Sequence, residues 1–215
     1  MLLGGVDEAG RGCVLGPLAV AGVSVEKDRL FELTELGVKD SKVLTPEQRE
    51  ALYPEILSIC KGVQVSRIPP EMIDRYVSRG KKYRRLNYLE TIHMAKVIDA
   101  LAVDEVFVDA PDVNPERFKG ELEELLLRKP RIVAEHKADV NYAVVSAASI
   151  VAKVERDSDV AALRELYGDF GSGYPSDPDT IAFLESWVKR NSSQPEFSRK
   201  SWKTWDRIPF FTTLD

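Results

Sequence analysis

Histidine and cysteine are scarce in this 215-residue chain: His93, His136, Cys13 and Cys60 are its whole complement. Two cysteines are too few for a disulfide framework or a cysteine-type zinc site, so both are expected to act as small buried residues. No apolar run approaches the roughly 18 to 20 residues that a membrane span requires, and the N-terminus has no signal-peptide pattern. A cytoplasmic protein without a membrane partner is the expectation. There is no internal repeat and no low-complexity linker. An excess of positive charge is also missing: 30 Lys and Arg against 35 Asp and Glu give a net charge of −5. On its face, that balance argues against a polyanionic partner.

The charge that is present is unevenly spread. Residues 79–85, RGKKYRR, carry five cations and no acid, and Lys189 to Arg207 carries six cations against Glu196 and Asp206. Basic patches bind phosphates even on an acidic chain, although each alone is also what a solvated face looks like. A content of 44% hydrophobic residues suits one globular domain with a modest appendage. Strand patterns fall at about 2–7, 16–25, 62–68, 104–109 and 131–135. Helical patterns fall between them, at 87–101, about 115–128, and from Tyr142 to about Leu166. Thr45 and Pro46 open a further helix as N-cap and first residue. Small residues crowd the start of the longest helix, AVVSAASIVAKV, which lets it lie close against a sheet. Two strands in hairpin order followed by strands separated by helices predict an α/β fold with a mixed sheet flanked by helices. Residues 1–167 are expected to form this domain. Residues 168–215, with a short helix at 178–190, are expected to form a small C-terminal helical appendage.

The stretch DEAGRGCVLG, residues 7–16, places two adjacent carboxylates at the end of an apolar run and then three glycines. A dinucleotide-binding turn would need a helix to begin at those glycines. Pro17 is followed instead by LAVAGVSV, a second strand, so Gly10, Gly12 and Gly16 read as the turn of a hairpin with acids at its mouth. Asp109 ends VFVD, and Asp139 follows the strand RIVAE. Each has a plainer role open to it, as turn former and as helix N-cap respectively. Taken together, Asp7, Asp109 and Asp139 all lie at or just past strand ends, where α/β sheets carry their active sites. With Glu8 they make four carboxylates, which would raise one another's pKa values unless a cation joined them. Oxygen ligands without a His/Cys cluster select Mg²⁺ or Mn²⁺ over zinc. Two such ions suit attack of water on a phosphodiester.

Seven segments together resemble one family. DEAGRG (7–12), GPLAVAGV (16–23), VKDSK (38–42), VDAPDV (108–113), EHKAD (135–139), VSAASIVAKVERD (145–157) and GSGYPSDP (171–178) are similar to type 2 ribonuclease H, ribonuclease HII, in its archaeal and eukaryotic style. The resemblance spans nearly the whole chain. It implies a ribonuclease H-like sheet and an endonuclease that cuts the RNA strand of RNA–DNA hybrids. It also implies incision at single ribonucleotides in duplex DNA, leaving 3′-hydroxyl and 5′-phosphate ends. Asp7, Glu8, Asp109 and Asp139 are then the catalytic, metal-binding acids. The Gly10-Arg11-Gly12 backbone approaches the 2′-hydroxyl in the minor groove, glycine being needed where a Cβ would hold the backbone off the sugar. Because neighbouring strand residues face opposite ways, a bend allowed by those glycines is expected to turn the chain at Glu8. Tyr174 matches a tyrosine packed on the sugar at the ribo-to-deoxyribo junction. Lys42 and Lys137 are candidate phosphate-binding or site-ordering cations, with salt bridging as their plainer role, and Arg156 with Asp157 fits either the family pattern or a helical ion pair. The appendage is expected to complete the substrate groove. The ending IPFFTTLD is an imperfect match to a sliding-clamp peptide, with Phe211 in the glutamine position and no closing aromatics. Rival readings are another metal-dependent nuclease, a small-molecule phosphohydrolase, and a non-catalytic binding subunit, the last disfavoured by the presence of all four acids.

Overall fold

The computed structural model describes residues 1–38, 44–78 and 86–209. Its strands are β1 (Leu2–Ala9), β2 (Leu18–Glu26), β3 (Gly62–Ile68), β4 (Glu105–Asp109) and β5 (Arg131–Glu135). Its helices are α1 (Leu30–Glu35), α2 (Pro46–Ile59), α3 (Pro70–Ser78), α4 (Leu86–Leu101), α5 (Pro115–Leu125), α6 (Ala138–Asn141), α7 (Ala143–Tyr167) and α8 (Pro178–Asn191). All five expected strands are present, and the helix expected to reach 128 stops at Leu125 with Leu126 as its C-cap. Three helices begin at a polar cap followed by proline. Thr45 forms a reciprocal capping box with Gln48, Asn114 accepts from the N–H of Arg117, and Asp177 accepts from the N–H of Asp179.

The sheet order is β3-β2-β1-β4-β5. β2 runs antiparallel to β1, from Leu2 opposite Glu26 to Ala9 opposite Ala19. β4 runs parallel to β1 and β5 parallel to β4, with Val6 opposite Val108 and Asp109 opposite Glu135. Parallel pairing brings the carboxyl ends of β1, β4 and β5 to one edge of the sheet. Residues near the C-termini of three strands distant in sequence are thereby gathered.

The chain falls into two compact units. The first comprises Met1–Ala9, Ala19–Arg67 and Leu86–Glu155, and the second Gly10–Leu18, Ile68–Arg85 and Arg156–Asp215. The expected 168–215 appendage is thus one part of the second unit, which also takes in the β1–β2 connection and the end of α7. In the first unit α7 presses against the sheet through buried Ala147, Ala148, Ala152 and Val151, which pack with Val23, Val25 and Val145. Contact is closest at Gly5, where a Cβ would come within 2.2 Å of the carbonyl oxygen of Val144. The second unit has its own core of Leu15, Val160, Phe170, Leu184, Phe197 and Trp205. Its rings include a stacked pair, Tyr167 on Phe197 with centroids 4.4 Å apart.

Candidate active site

In the first unit, the step beyond the Val6–Val108 pair brings Asp7 beside Asp109. Asp7 is buried, and its carboxyl is pushed up to about 6, first by that burial and then by the negative charge of Asp109. Three groups pull the other way: the hydroxyl of Ser149, the ammonium of Lys153, and the N–H of Glu8, which donates to Asp7 Oδ1 at 2.7 Å. Lys153 Nζ in turn donates to Ser149 Oγ at 2.7 Å. Ser149 and Lys153 are one turn apart on α7, so the helix delivers a hydroxyl and a cation to the same carboxylate.

Asp139 joins through Asp109. Asp109 Oδ1 accepts the N–H of Ala138 at 3.0 Å, anchoring the start of α6 on the end of β4. Asp139, buried, is the second residue of that helix; the N-cap position belongs to Lys137, so the N-cap role open to Asp139 is not the one it takes. Lys137 has φ 59° and ψ 36°, a left-handed conformation costly for a residue with a Cβ, and its side chain is exposed. That turn aims the Ala138 N–H at Asp109.

The expected bend at Glu8 is absent. β1 stays in register through Glu8 opposite Val20 and Ala9 opposite Ala19, and the chain departs only at Gly10, where φ is 88°. The β-ladder with β2 is continuous through Glu8, and the Glu8 N–H, bound to Asp7 Oδ1, ties the two acids through the backbone rather than through a bend. Among the described residues no three Asp, Glu, His or Cys side chains form a ready-made ion cage. The structure instead holds Asp7 within electrostatic reach of Asp109, and Asp109 bonded to the backbone that precedes Asp139. Two close carboxylates in a buried place, with oxygen donors only, fit a hard divalent cation, whose charge would lower the raised pKa of Asp7.

Gly10, Arg11, Gly12 and Tyr174 all belong to the second unit, and the structure brings them together. A Cβ on Gly10 would meet the carbonyl oxygen of Pro17 at 2.9 Å, and one on exposed Gly12 would rest 3.6 Å from the Tyr174 ring. Arg156 lies over that ring, 5.2 Å from its centroid, and donates to Cys13 Sγ and the carbonyl of Ser172, both at 2.8 Å. It also pairs with Asp157 at 3.0 Å. Burial and then Cys13 push the Tyr174 phenol up to about 12, so it stays protonated at neutral pH. Gly171 and Asp177 shape the loop, Asp177 Oδ2 accepting from the N–H of Ser172 at 2.6 Å. Lys42, the cationic run 79–85 and the tail from 210 lie outside the described residues.

Sequence inspection missed Ser149, Lys153 and Asp112. Asp112 is buried: it accepts from Asn87 Nδ2 and the N–H of Asn114, each at 2.9 Å, and pairs with Arg117 at 2.5 Å. Polar residues on the otherwise small, apolar face of α7 were the available signal for the first two.

Acids gathered at the parallel strand ends, with a glycine loop following the first of them, are the arrangement that the family resemblance implies. A family model described as Ribonuclease HII matches residues 4–205. The chain belongs to the ribonuclease HII family. Ribonuclease HII of Cenarchaeum symbiosum is 46% identical over 203 residues, covering 94% of this chain and 96% of that protein. The crystal structure of ribonuclease H2 from Pyrococcus horikoshii OT3 superposes with a TM-score of 0.89 at 40% identity, covering 97% of each chain. Ribonuclease HII of Archaeoglobus fulgidus, solved in complex with PCNA, gives a TM-score of 0.85 at 44% identity, covering 94% of this chain and 96% of that one. This chain is accordingly an enzyme of the nuclease class, a hydrolase with the mixed sheet of that family.

Proposed function

We propose that this enzyme hydrolyses the RNA strand of RNA–DNA hybrids, and duplex DNA at single embedded ribonucleotides, leaving 3′-hydroxyl and 5′-phosphate ends. The observation that carries this reading is the buried Asp7 carboxylate held beside Asp109, with its pKa raised to about 6. Asp7, Asp109 and Asp139, with Glu8, would hold two Mg²⁺ or Mn²⁺ ions, which supply an activated water and a stabilised leaving oxygen. Ser149 and Lys153 hold Asp7 in place through the hydroxyl and ammonium described above. The hydrogen bond from the Ala138 N–H to Asp109 ties the backbone next to Asp139 to the end of β4, which supports grouping Asp139 with the other acids.

Selection of the ribose falls to the Gly10-Arg11-Gly12 backbone and to Tyr174, whose ring lies beside Gly12. Because Ala9 alone separates Glu8 from Gly10, the chain tethers this loop to the acids. The region 168–215, which carries Tyr174, is proposed to contact the duplex, and exposed Lys137 to meet a phosphate. Lys42 is assigned the same kind of role by its place in the family motif. The PCNA complex of the Archaeoglobus relative supports a sliding-clamp contact through the C-terminus. No helix among the described residues is long and apolar enough to cross a membrane; a cytoplasmic site of action is part of the proposal.

The test is a pair of DNA duplexes identical except for one ribonucleotide, incubated with Mg²⁺ or Mn²⁺. Cleavage confined to the ribose-containing duplex, with the stated ends, is expected. Equal cleavage of both would point to a nuclease that does not sense the 2′-hydroxyl.

A further inference from the structure

Arg199 is the largest fully buried side chain of the second unit, and neither the acids nor the tyrosine accounts for it. A buried guanidinium is retained only where its donors are met. Here they meet backbone carbonyls of the glycine loop. Arg199 Nη2 donates to the carbonyl of Gly10 and Nη1 to that of Arg11, each at 2.7 Å. Nε and Nη2 share the carbonyl of Gly16 at 3.3 Å. The arginine is itself locked in place. Its N–H donates to the carbonyl of Val14 at 2.8 Å, its carbonyl accepts from Trp205 Nε1 at 3.0 Å, and its guanidinium lies 4.9 Å from the centroid of the Trp202 ring.

A trans peptide directs its C=O and N–H to opposite sides. Drawing the carbonyls of Gly10 and Arg11 inward onto one cation therefore turns the next two N–H groups, those of Arg11 and Gly12, away from it. Two successive amides facing outward form a donor pair suited to a ribose hydroxyl oxygen. Glycine at 10, where φ is 88°, supplies the freedom to adopt this shape, but freedom alone does not choose it. The planar fork of arginine does, because its donors are fixed in one plane and spread over three nitrogens, whereas those of a lysine ammonium radiate from a single atom.

We infer that Arg199 is a positioning residue for ribose selection: it holds the carbonyls of the glycine loop so that the loop presents its amides to the 2′-hydroxyl. This rests on the ribose-selecting role proposed above for that loop. Arg199→Lys in the full chain tests it by two readouts. The first is amide hydrogen exchange of the segment 9–17, measured without substrate. The second is binding, under conditions of no turnover, to two duplexes that differ by a single 2′-hydroxyl. The expected result is exchange in that segment faster by roughly tenfold, with the rest of the chain protected as in the parent. Preference for the ribose-containing duplex should fall about tenfold while affinity for the all-DNA duplex stays the same. A folded Arg199→Lys protein with unchanged exchange and unchanged preference overturns the inference. Should that variant not fold, Trp202→Leu, which removes the ring beside the guanidinium and spares its hydrogen-bond partners, is expected to shift both readouts in the same direction by a smaller factor; no shift overturns the inference equally. A parent enzyme without ribose preference would defeat the functional reading instead, and the exchange arm would still decide whether Arg199 shapes the loop.

Discussion

One site in each unit handles buried charge in the opposite way to the other. In the first, two carboxylates stand together at strand ends, and Asp7 is held in a state that resists ionisation. In the second, Arg199 is entirely buried yet is met by three backbone carbonyls. The first arrangement leaves negative charge in excess and calls for a cation from outside. The second satisfies itself, and what it yields is a backbone shape. Chemistry and recognition are thus assigned to regions that differ in electrostatic balance, and the chain joins them through Ala9.

The sharpest way to probe that contrast is to remove charge from the first unit. Asp109→Asn should lower the cleavage rate by about 10³-fold or more, while the protein freed of divalent ions melts at the same temperature or slightly higher, because a like-charge contact has gone. Single-turnover cleavage and thermal melting in chelator measure the two halves. A folded variant that cuts at the parent rate would contradict the acid assignment.

Next in size is a steric break in the second unit. Gly10→Ala places a methyl group at φ 88° and against the Pro17 carbonyl, and should destabilise the chain by about 1–3 kcal/mol in denaturant unfolding. An unchanged midpoint would mean that the loop has no fixed conformation to strain.

The pH dependence of the ion-free protein follows from Asp7, whose folded pKa lies above its unfolded value. Its contribution to stability is fully present below about 4, and it is lost as pH rises through about 6. Asp7→Asn should therefore match the parent near pH 4 and exceed it by on the order of 2 kcal/mol at pH 7, in unfolding with chelator present. Parallel stability curves for the two proteins would remove the case for a strained pair. The smallest effect is expected from Tyr174→Ala, which should weaken preference for the ribo-to-deoxyribo junction by about tenfold and binding to plain duplex much less, in salt-matched titrations.

Local patterns made the framework legible. Short runs rich in apolar and β-branched residues mark the strands, and Thr45-Pro46 marks the start of α2. The acids were legible because each of Asp7, Asp109 and Asp139 follows an apolar run, and parallel pairing then brings those runs to one end. The short helices α1 and α6 left no comparable periodic signal, being 6 and 4 residues long, whereas α3, with Met72, Ile73, Tyr76 and Val77 at helical spacing, carried one that went unread. The bend expected at Glu8 failed because pairing with β2 holds the strand straight to Ala9, which no glycine two residues away can reveal. Arg199 was read only as one cation in a basic tail. Its partners lie 183 to 189 residues away in sequence, and burial of a charge against backbone carbonyls has no local pattern.

The central claim is that Asp7 and Asp109 form a buried pair completed by a divalent ion. Thermal melting of the full chain at pH 7.5, in chelator and then with increasing Mn²⁺, tests it most directly when the parent is run beside Asp109→Asn. A saturable rise in melting temperature for the parent, lost or much reduced in the variant, is the predicted result. A parent protein whose melting temperature ignores Mn²⁺, or a variant that responds as strongly as the parent, would contradict the claim.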